Sequence, residues 1–317
     1  MEEQKIVITG GTGFIMSYVA ERLAAMGKDI TLFDNCEEHA LFDYTTDLLA
    51  KYKNVKFVQG DIRDKDAVDA VVKGAEIVYH FAALMGTSSR FKEERRTIEV
   101  NVLGTLNVLD ASLENGVKYF IHPPRPPLSQ WLTPYIISKT AQTQFTQMYH
   151  RIYGLPTVGL HIANCYGPRE RSVLNPNAMV KREGKKLVAT CIIAALKGET
   201  LPVFGDGEQA SDFIFIDDVV DACLRAPRPE AVGEVFDIGS GFATTVNDIA
   251  RTIIKIVGSK SQIEYYPLRT GEVKLTTKSD PLLAKKLLGW EPKVSLEEGL
   301  RKTIPFYAKA LGIKWVA

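Results

Sequence analysis

Residues 5–15 read Lys-Ile-Val-Ile-Thr-Gly-Gly-Thr-Gly-Phe-Ile: a short β-branched run, three closely spaced glycines, and the start of an apolar, helix-periodic stretch. This pattern predicts a strand over Lys5–Thr9 and a helix over Phe14–Met26 that ends at Gly27. Glycine at 10 and 13 lets the chain turn tightly and brings its backbone close to a pyrophosphate. The helix start at Phe14 and Ile15 adds unpaired N–H groups and the positive end of the helix dipole. A second strand, Ile30–Phe33, runs into Asp34, 21 residues beyond Gly13. A carboxylate there accepts hydrogen bonds from adenosine ribose hydroxyls and repels a 2′-phosphate, which favours NAD over NADP. The third glycine of this fingerprint would fall at position 16, where the chain has Met16. A methionine there is expected to push the helix off the strand or to reorient it.

Outward from this turn, strand-like and helix-like runs alternate. Val55–Gln59, Ile77–Phe81 and Tyr119–Ile121 read as the third, fourth and fifth strands. The alternation predicts an α/β protein with a doubly wound parallel sheet of the Rossmann type and a smaller C-terminal α/β substrate lobe. Residues 1–168 are assigned to the dinucleotide-binding domain, with a return of the chain around 212–245, and 169–317 to the substrate lobe. Pro168–Lys186 reads as a long connection. Leu187–Lys197, Asp217–Ala226, Val246–Val257 and Leu296–Ala310 read as helices. His122–Pro127 is a proline-rich loop. Asp61 and Ile62 follow the third strand, where an adenine would lie, with Asp64 free to cap the helix Lys65–Lys73. Phe81, Ala82 and Ala83 end the fourth strand, and small residues there let a nicotinamide half lie against the backbone.

The chain has 317 residues, 45% of them hydrophobic, and its 39 Lys plus Arg against 38 Asp plus Glu give a net charge of +1. This balance gives no electrostatic case for nucleic acid or an acidic membrane surface. The cysteines Cys36, Cys165, Cys191 and Cys223 are widely spaced. They suggest buried free thiols rather than a disulfide framework or a metal site. The N-terminus lacks a signal pattern and no apolar run is long enough for a membrane span, so a soluble, cytoplasmic protein is expected.

The segments TGGTGFI, FDN, GDIRD, HFAA, VNVLGTLNVLDA, YIISK, ANCYGPR, VFGDGEQASDFIFIDDVV, FDIGSG and LGWEPKVSLEEGL occur in that order over nearly the whole chain. Together they resemble the extended short-chain dehydrogenase/reductases, specifically the NAD-dependent nucleotide-sugar epimerase/dehydratase group that includes UDP-galactose 4-epimerase. The resemblance implies an NAD site built from Gly10, Gly13, Phe14, Ile15, Asp34, Asn35, Asp61, Ile62, Phe81, Ala82, Ala83, Asn101, Tyr135 and Lys139. Tyr135 and Lys139 stand at i and i+4 on one helix face. A tyrosine is a poor base at its ordinary pKa of about 10. The Lys139 ammonium and the positive nicotinamide are expected to pull that value down, so that Tyr135 removes a hydroxyl proton while hydride leaves the same carbon. Lys139 would also hold the nicotinamide ribose.

The family places a Ser or Thr after the fifth strand, about two dozen residues before the Tyr. Here 15 positions separate Phe120 from Tyr135. Ser129 and Thr133 lie nearby without fitting the motif, and His122 reads as structural, its donor capacity keeping open a role as substitute acid. On the substrate side the resemblance implies Asn164 and Arg269 as contacts to the diphosphate region. A second phosphate-binding Arg of the family is replaced by Ser211. Phe145, Met148, Tyr149 and Ile152 form a helical stripe expected to face the core, and the same region implies a homodimer.

The implied activity is an NAD-dependent 4-epimerase of UDP-hexoses or UDP-hexuronates acting through a transient 4-keto sugar. A related decarboxylase, dehydratase or reductase shares the first oxidation. A non-catalytic NAD-binding sensor is the reading from another class, motivated by Met16, Ser211 and the absent Ser/Thr.

Overall fold

The computed structural model describes residues 4–37, 42–86, 90–126, 130–170 and 186–315. Seven strands form the main sheet: β1 (Lys5–Thr9), β2 (Asp29–Asp34), β3 (Val55–Gln59), β4 (Ile77–His80), β5 (Tyr119–His122), β6 (Thr157–Ile162) and β10 (Val235–Ile238). Their order is β3-β2-β1-β4-β5-β6-β10, with every neighbouring pair parallel. The winding direction reverses between β1 and β4, which opens a crevice at the carboxyl ends of those strands. Both faces of the sheet are buried along its central strands, whereas Lys56, Val58 and Gln59 of the β3 edge are exposed. Ile6 and Ile8 of β1 join one hydrophobic cluster, and Val7 joins the other. That is why the strands read as continuous apolar runs rather than as alternating ones.

Helices α1 (Phe14–Ala25), α2 (Phe42–Lys51), α3 (Lys65–Val72), α4 (Glu94–Ile98), α5 (Thr105–Glu114) and α6 (Pro134–Tyr153) belong to the first half, with a π-helical turn over Glu99–Gly104 joining α4 to α5. Asp64 caps α3 by accepting the Ala67 N–H at 3.1 Å. Met16 is absorbed rather than expelled. Helix α1 starts at Phe14 as expected, and the Met16 side chain, 1% exposed, lies in the core cluster that also holds Ile6, Val19 and Leu32. An unbranched thioether chain adapts to the space the helix and sheet leave it.

The second half holds two smaller sheets. In one, β9 (Ala210–Phe215) pairs parallel with β7 (Asn164–Tyr166) and antiparallel with β11 (Ala243–Thr245); in the other, β8 (Leu201–Phe204) pairs parallel with β12 (Ile263–Tyr266). Helices α7 (Leu187–Lys197), α9 (Val246–Val257) and α11 (Leu296–Ala310) have the expected bounds, while α8 (Ile216–Arg225) starts and ends one residue early. Gly198 and Gly258 end α7 and α9 in left-handed conformations, and Thr245 and Ser295 cap α9 and α11. The short α10 (Leu282–Leu288) precedes Trp290, whose indole N–H donates to the Asp218 carbonyl at 2.9 Å and so fastens the C-terminal segment to α8.

The expected connection Pro168–Lys186 falls mostly on residues outside those described. Cys191 and Cys223 are buried free thiols, whereas Cys36 and Cys165 are only half-buried. On α6, Tyr149 is buried and Phe145 and Met148 pack against the second core cluster, but Ile152 is 70% exposed. The expected stripe therefore faces the core only in part, because α6 turns its last residues away from the sheet.

Candidate active site

Gly10 and Gly13 of the turn after β1 are glycine for different reasons. Gly10 has φ +70°, and a Cβ on it would lie 2.7 Å from the Ala82 nitrogen and 2.8 Å from the Phe81 carbonyl carbon. Both obstacles are backbone at the end of β4, so the turn can sit across the reversal point only as glycine. Gly13 has φ −74°, and a Cβ on it would meet only the Gly10 oxygen, at 3.1 Å. Its bareness leaves room above the start of α1. A bare cradle and a helix N-terminus together fit a diphosphate.

Asp34 stands at the end of β2, where a ribose-binding carboxylate belongs. Its Oδ2 accepts the Thr12 N–H at 3.1 Å and its Oδ1 the Cys36 N–H at 2.8 Å, so it also braces the glycine turn. Asn35 donates to Asp61 Oδ2 at 3.0 Å. Asp61 is gripped by the Arg63 guanidinium at 2.7 and 3.0 Å, which holds its carboxyl down to about 2. Ile62 is 4% exposed and fills the space a Cβ on Gly104 would need, 2.6 Å away. Phe81, Ala82 and Ala83 line the crevice half-buried. Asn101 is fully buried in the π-helical turn. It accepts the Leu84 N–H at 2.7 Å and donates to the Leu84 carbonyl at 3.1 Å and to Ser138 Oγ at 3.0 Å. It thereby ties the loop after β4 to α6.

Helix α6 begins at Pro134, and Thr133 Oγ1 caps it by accepting the Ile136 N–H at 3.3 Å. Thr133 Oγ1 is thus engaged as the helix cap; Ser129 lies outside the described residues. Tyr135 and Lys139 are both buried, 9% and 3% exposed, on the same face of α6. The Lys139 ammonium donates to Gln142 Oε1, one turn further on. Burial and the Arg125 charge push Lys139 down to about 7.

The electrostatics differ from the expectation in one respect. The cation that draws the Tyr135 phenol downward is Arg125, not Lys139, and burial outweighs it, so that the phenol stands above its ordinary value. Desolvation penalises a phenolate more than one half-exposed guanidinium repays. Arg125 comes from the proline-rich loop after β5. Its N–H donates to Thr143 Oγ1 at 3.0 Å, and Thr143 Oγ1 donates to the Lys139 carbonyl at 2.8 Å. Its Nε is buried without a partner. His122 is 2% exposed, and burial together with Lys139 and His80 drives its pKa well below the ordinary value, so it is neutral.

On the substrate side, Asn164 is exposed and its amide donates to the Asp212 carbonyl at 3.1 Å. Asp212 is 2% exposed, and its carboxylate accepts the Ser240 N–H at 2.8 Å and the Gly241 N–H at 2.9 Å. Arg269 is held bidentately by Glu272, at 2.6 and 2.8 Å, and lies 5.2 Å over the Phe204 ring. Gly271, φ +70°, brings this loop onto Phe91, whose ring would be 2.5 Å from a Cβ there. The loop between β4 and α4 thus meets the C-terminal lobe at the Arg269 loop. Arg125 and Gln142 were not among the residues singled out from the sequence. Gln142 had a usable signal, since i and i+3 share a helix face; Arg125 had none, because its loop has no periodicity.

A model of the NAD dependent epimerase/dehydratase family matches residues 6–239. UDP-glucose 4-epimerase of Mycolicibacterium smegmatis is 30% identical over 320 residues, covering 96% of this chain and 98% of that protein. A UDP-N-acetyl-alpha-D-glucosaminuronate decarboxylase of Bacillus cytotoxicus is 29% identical over 331 residues, covering 96% and 98%. The crystal structure of UDP-glucose 4-epimerase from Thermotoga maritima with UDP-glucose matches with a TM-score of 0.85 at 32% identity, over 97% of this chain and 99% of that one. With a glycine cradle at the sheet's reversal point and a buried Tyr–Lys pair beside it, the chain belongs to the NAD dependent epimerase/dehydratase family.

Proposed function

We propose that the protein is an NAD-dependent nucleotide-sugar 4-epimerase of the UDP-hexose or UDP-hexuronate class. The observation that carries this reading is the Tyr135–Lys139 pair, buried on one face of α6 in a chain whose relatives include a UDP-glucose 4-epimerase over nearly its whole length. Tyr135, in the phenolate form that the charge of a bound nicotinamide would favour against burial, takes the proton of the sugar 4-hydroxyl. Bound NAD would supply the acceptor, and later the donor, of the C4 hydride. The hydroxyl oxygen becomes the carbonyl oxygen of a 4-keto sugar, which turns over in the site. Tyr135 then gives the proton back at the opposite configuration, and the cofactor ends as it began.

Arg125 supports the Tyr135 phenolate electrostatically, taking up part of what the family's Ser/Thr does by hydrogen bonding. Lys139 has three donors, of which Gln142 takes one, leaving two for a nicotinamide ribose. Gly10, Gly13, Phe14 and Ile15 would cradle the diphosphate. Asp34, Asn35, Asp61 and Ile62 would hold the adenosine, and Phe81–Ala83 and Asn101 the nicotinamide side. Asn164 and Arg269 would face the sugar nucleotide. We assign residues 1–168 and the returning stretch around 212–245 to the cofactor domain, and 169–317 to the substrate lobe. The return of β10 to the main sheet supports this.

We also infer a homodimer and a cytoplasmic setting. α6 exposes Ile137 and Ile152, and the neighbouring α4–α5 segment exposes Ile98 and Leu103, an apolar face suited to a second copy. The four free cysteines fit a reducing compartment. No helix among the described residues is long and apolar enough to cross a membrane.

The test is incubation with UDP-glucose, UDP-galactose, their N-acetyl forms and UDP-glucuronate, with products read by NMR. The 4-epimer is expected, and Tyr135→Phe abolishes its formation. Loss of carbon dioxide from UDP-glucuronate would instead assign a decarboxylase, which the relative of that activity makes the second reading. Bound NAD without any conversion would assign a sensor.

A further inference from the structure

A chain of buried polar groups runs from Lys139 across the crevice to β1. Lys139 Nζ donates to Gln142 Oε1, and Gln142 Nε2 donates to Thr105 Oγ1 at 3.0 Å. His80 Nε2 lies 2.8 Å from the same Thr105 oxygen, and His80 Nδ1 lies 2.8 Å from Thr9 Oγ1. All five residues are between 0% and 3% exposed.

Hydrogen bookkeeping fixes every direction in this chain. The Thr105 hydroxyl hydrogen is spent on the Asn101 carbonyl at 2.8 Å, so the Thr105 oxygen can only accept from its other two neighbours. His80 therefore carries its proton on Nε2, and its Nδ1 accepts from Thr9. Burial and Lys139 lower His80 to about 3, which keeps it in this neutral state. Gln142 must likewise turn its NH2 to Thr105, and that turns its carbonyl oxygen to Lys139. A flipped amide would set one donor against the ammonium and leave an acceptor against Thr105.

We propose that Gln142 is a positioning residue for the catalytic pair: its amide, locked by Thr105 and His80, receives the Lys139 ammonium and holds it charged inside the site. The titratable and charged groups that act on Lys139 or feel it are Arg125 from the loop after β5, His80 of β4 and His122 of β5. None is an anion. Among the described residues Gln142 Oε1 is the acceptor the ammonium has, and a buried cation without an acceptor loses its proton. Because the acceptor is neutral, the ammonium's charge stays available to a nicotinamide ribose, whereas a carboxylate in its place would cancel it. The consequence for turnover rests on the epimerase reading; the placement of Lys139 does not.

The experiment is an NMR titration of the whole chain carrying 13Cε-labelled lysine, with Lys139→Met identifying the signal. Wild-type Lys139 should titrate near the value of about 7 that its surroundings set. Gln142→Leu should lower the midpoint and Gln142→Glu should raise it, each by about one pH unit or more. Where the wild type epimerises, kcat of Gln142→Leu should fall about tenfold or more with KM within about threefold, and its alkaline limb should move to lower pH. Lys139 midpoints that match wild type in folded Gln142→Leu and Gln142→Glu would overturn the proposal. Should Gln142→Leu not fold, Gln142→Glu, which keeps the acceptor, decides alone. A wild type that shows the shifts but turns over no sugar nucleotide would refute the epimerase reading and leave Gln142's role standing.

Discussion

Replacing Lys139 by methionine should abolish activity and stabilise the folded chain at pH 7. Burial holds the Lys139 amine at about 7, against 10.5 in an unfolded chain. A base whose folded value is lowered binds fewer protons folded than unfolded across that window. Stability therefore rises with pH between about 7 and 10.5, and the penalty is largest at the acid end. The difference corresponds to ~4 kcal/mol at pH 7 and ~1 kcal/mol at pH 10 as an upper bound. Leaving Gln142 Oε1 without its donor takes back ~1–3 kcal/mol. The net expectation for Lys139→Met is a gain of ~2 kcal/mol at pH 7 that turns into a loss of ~1 kcal/mol by pH 10. Parallel urea denaturation of both proteins at pH 7, 8.5 and 10 reads this, because groups that titrate in both cancel in the difference. A variant less stable than wild type at pH 7, or a gap independent of pH, would refute the reasoning.

Gly10→Ala should destabilise the fold by ~3 kcal/mol, since it combines a left-handed φ with a clash against backbone, whereas Gly13→Ala should stay within ~1 kcal/mol yet weaken NAD binding. Thermal melts and cofactor titration separate the two, and equal melting losses would contradict the distinct roles assigned to these glycines. Arg63→Gln should release the Asp61 carboxyl from about 2 towards 3.8. The wild type's extra stability, present above about pH 4 and lost as pH falls towards 2, would then be absent, as acid titration of the unfolding midpoint will show. Arg125→Ala should raise the Tyr135 phenol further, moving the acid limb of the kcat profile to higher pH and lowering kcat at pH 7 about tenfold. An unchanged profile would remove Arg125 from the chemistry.

The parts of this protein that the sequence alone determined are those ruled by short-range physics. Glycine at 10 answers to a left-handed φ, Asp64, Thr245 and Ser295 to exposed helix N–H groups, Gly198 and Gly258 to helix ends, and the runs of β1, β2, β4 and β5 to burial on both faces. The Tyr135–Lys139 pair was legible for the same reason, being one turn of one helix. Strands β6, β7 and β12 and the π-helical turn at 99–104 carried no comparable local signal, because pairing across the fold is what makes them. The tertiary structure alone decided what surrounds the pair. Arg125 comes from a loop without periodicity, and Gln142 meets Thr105, which a separate strand's His80 links in turn to Thr9 of β1. Burial then set the charges, raising a phenol and lowering an amine, since desolvation depends on everything packed around a group and not on its neighbours in sequence.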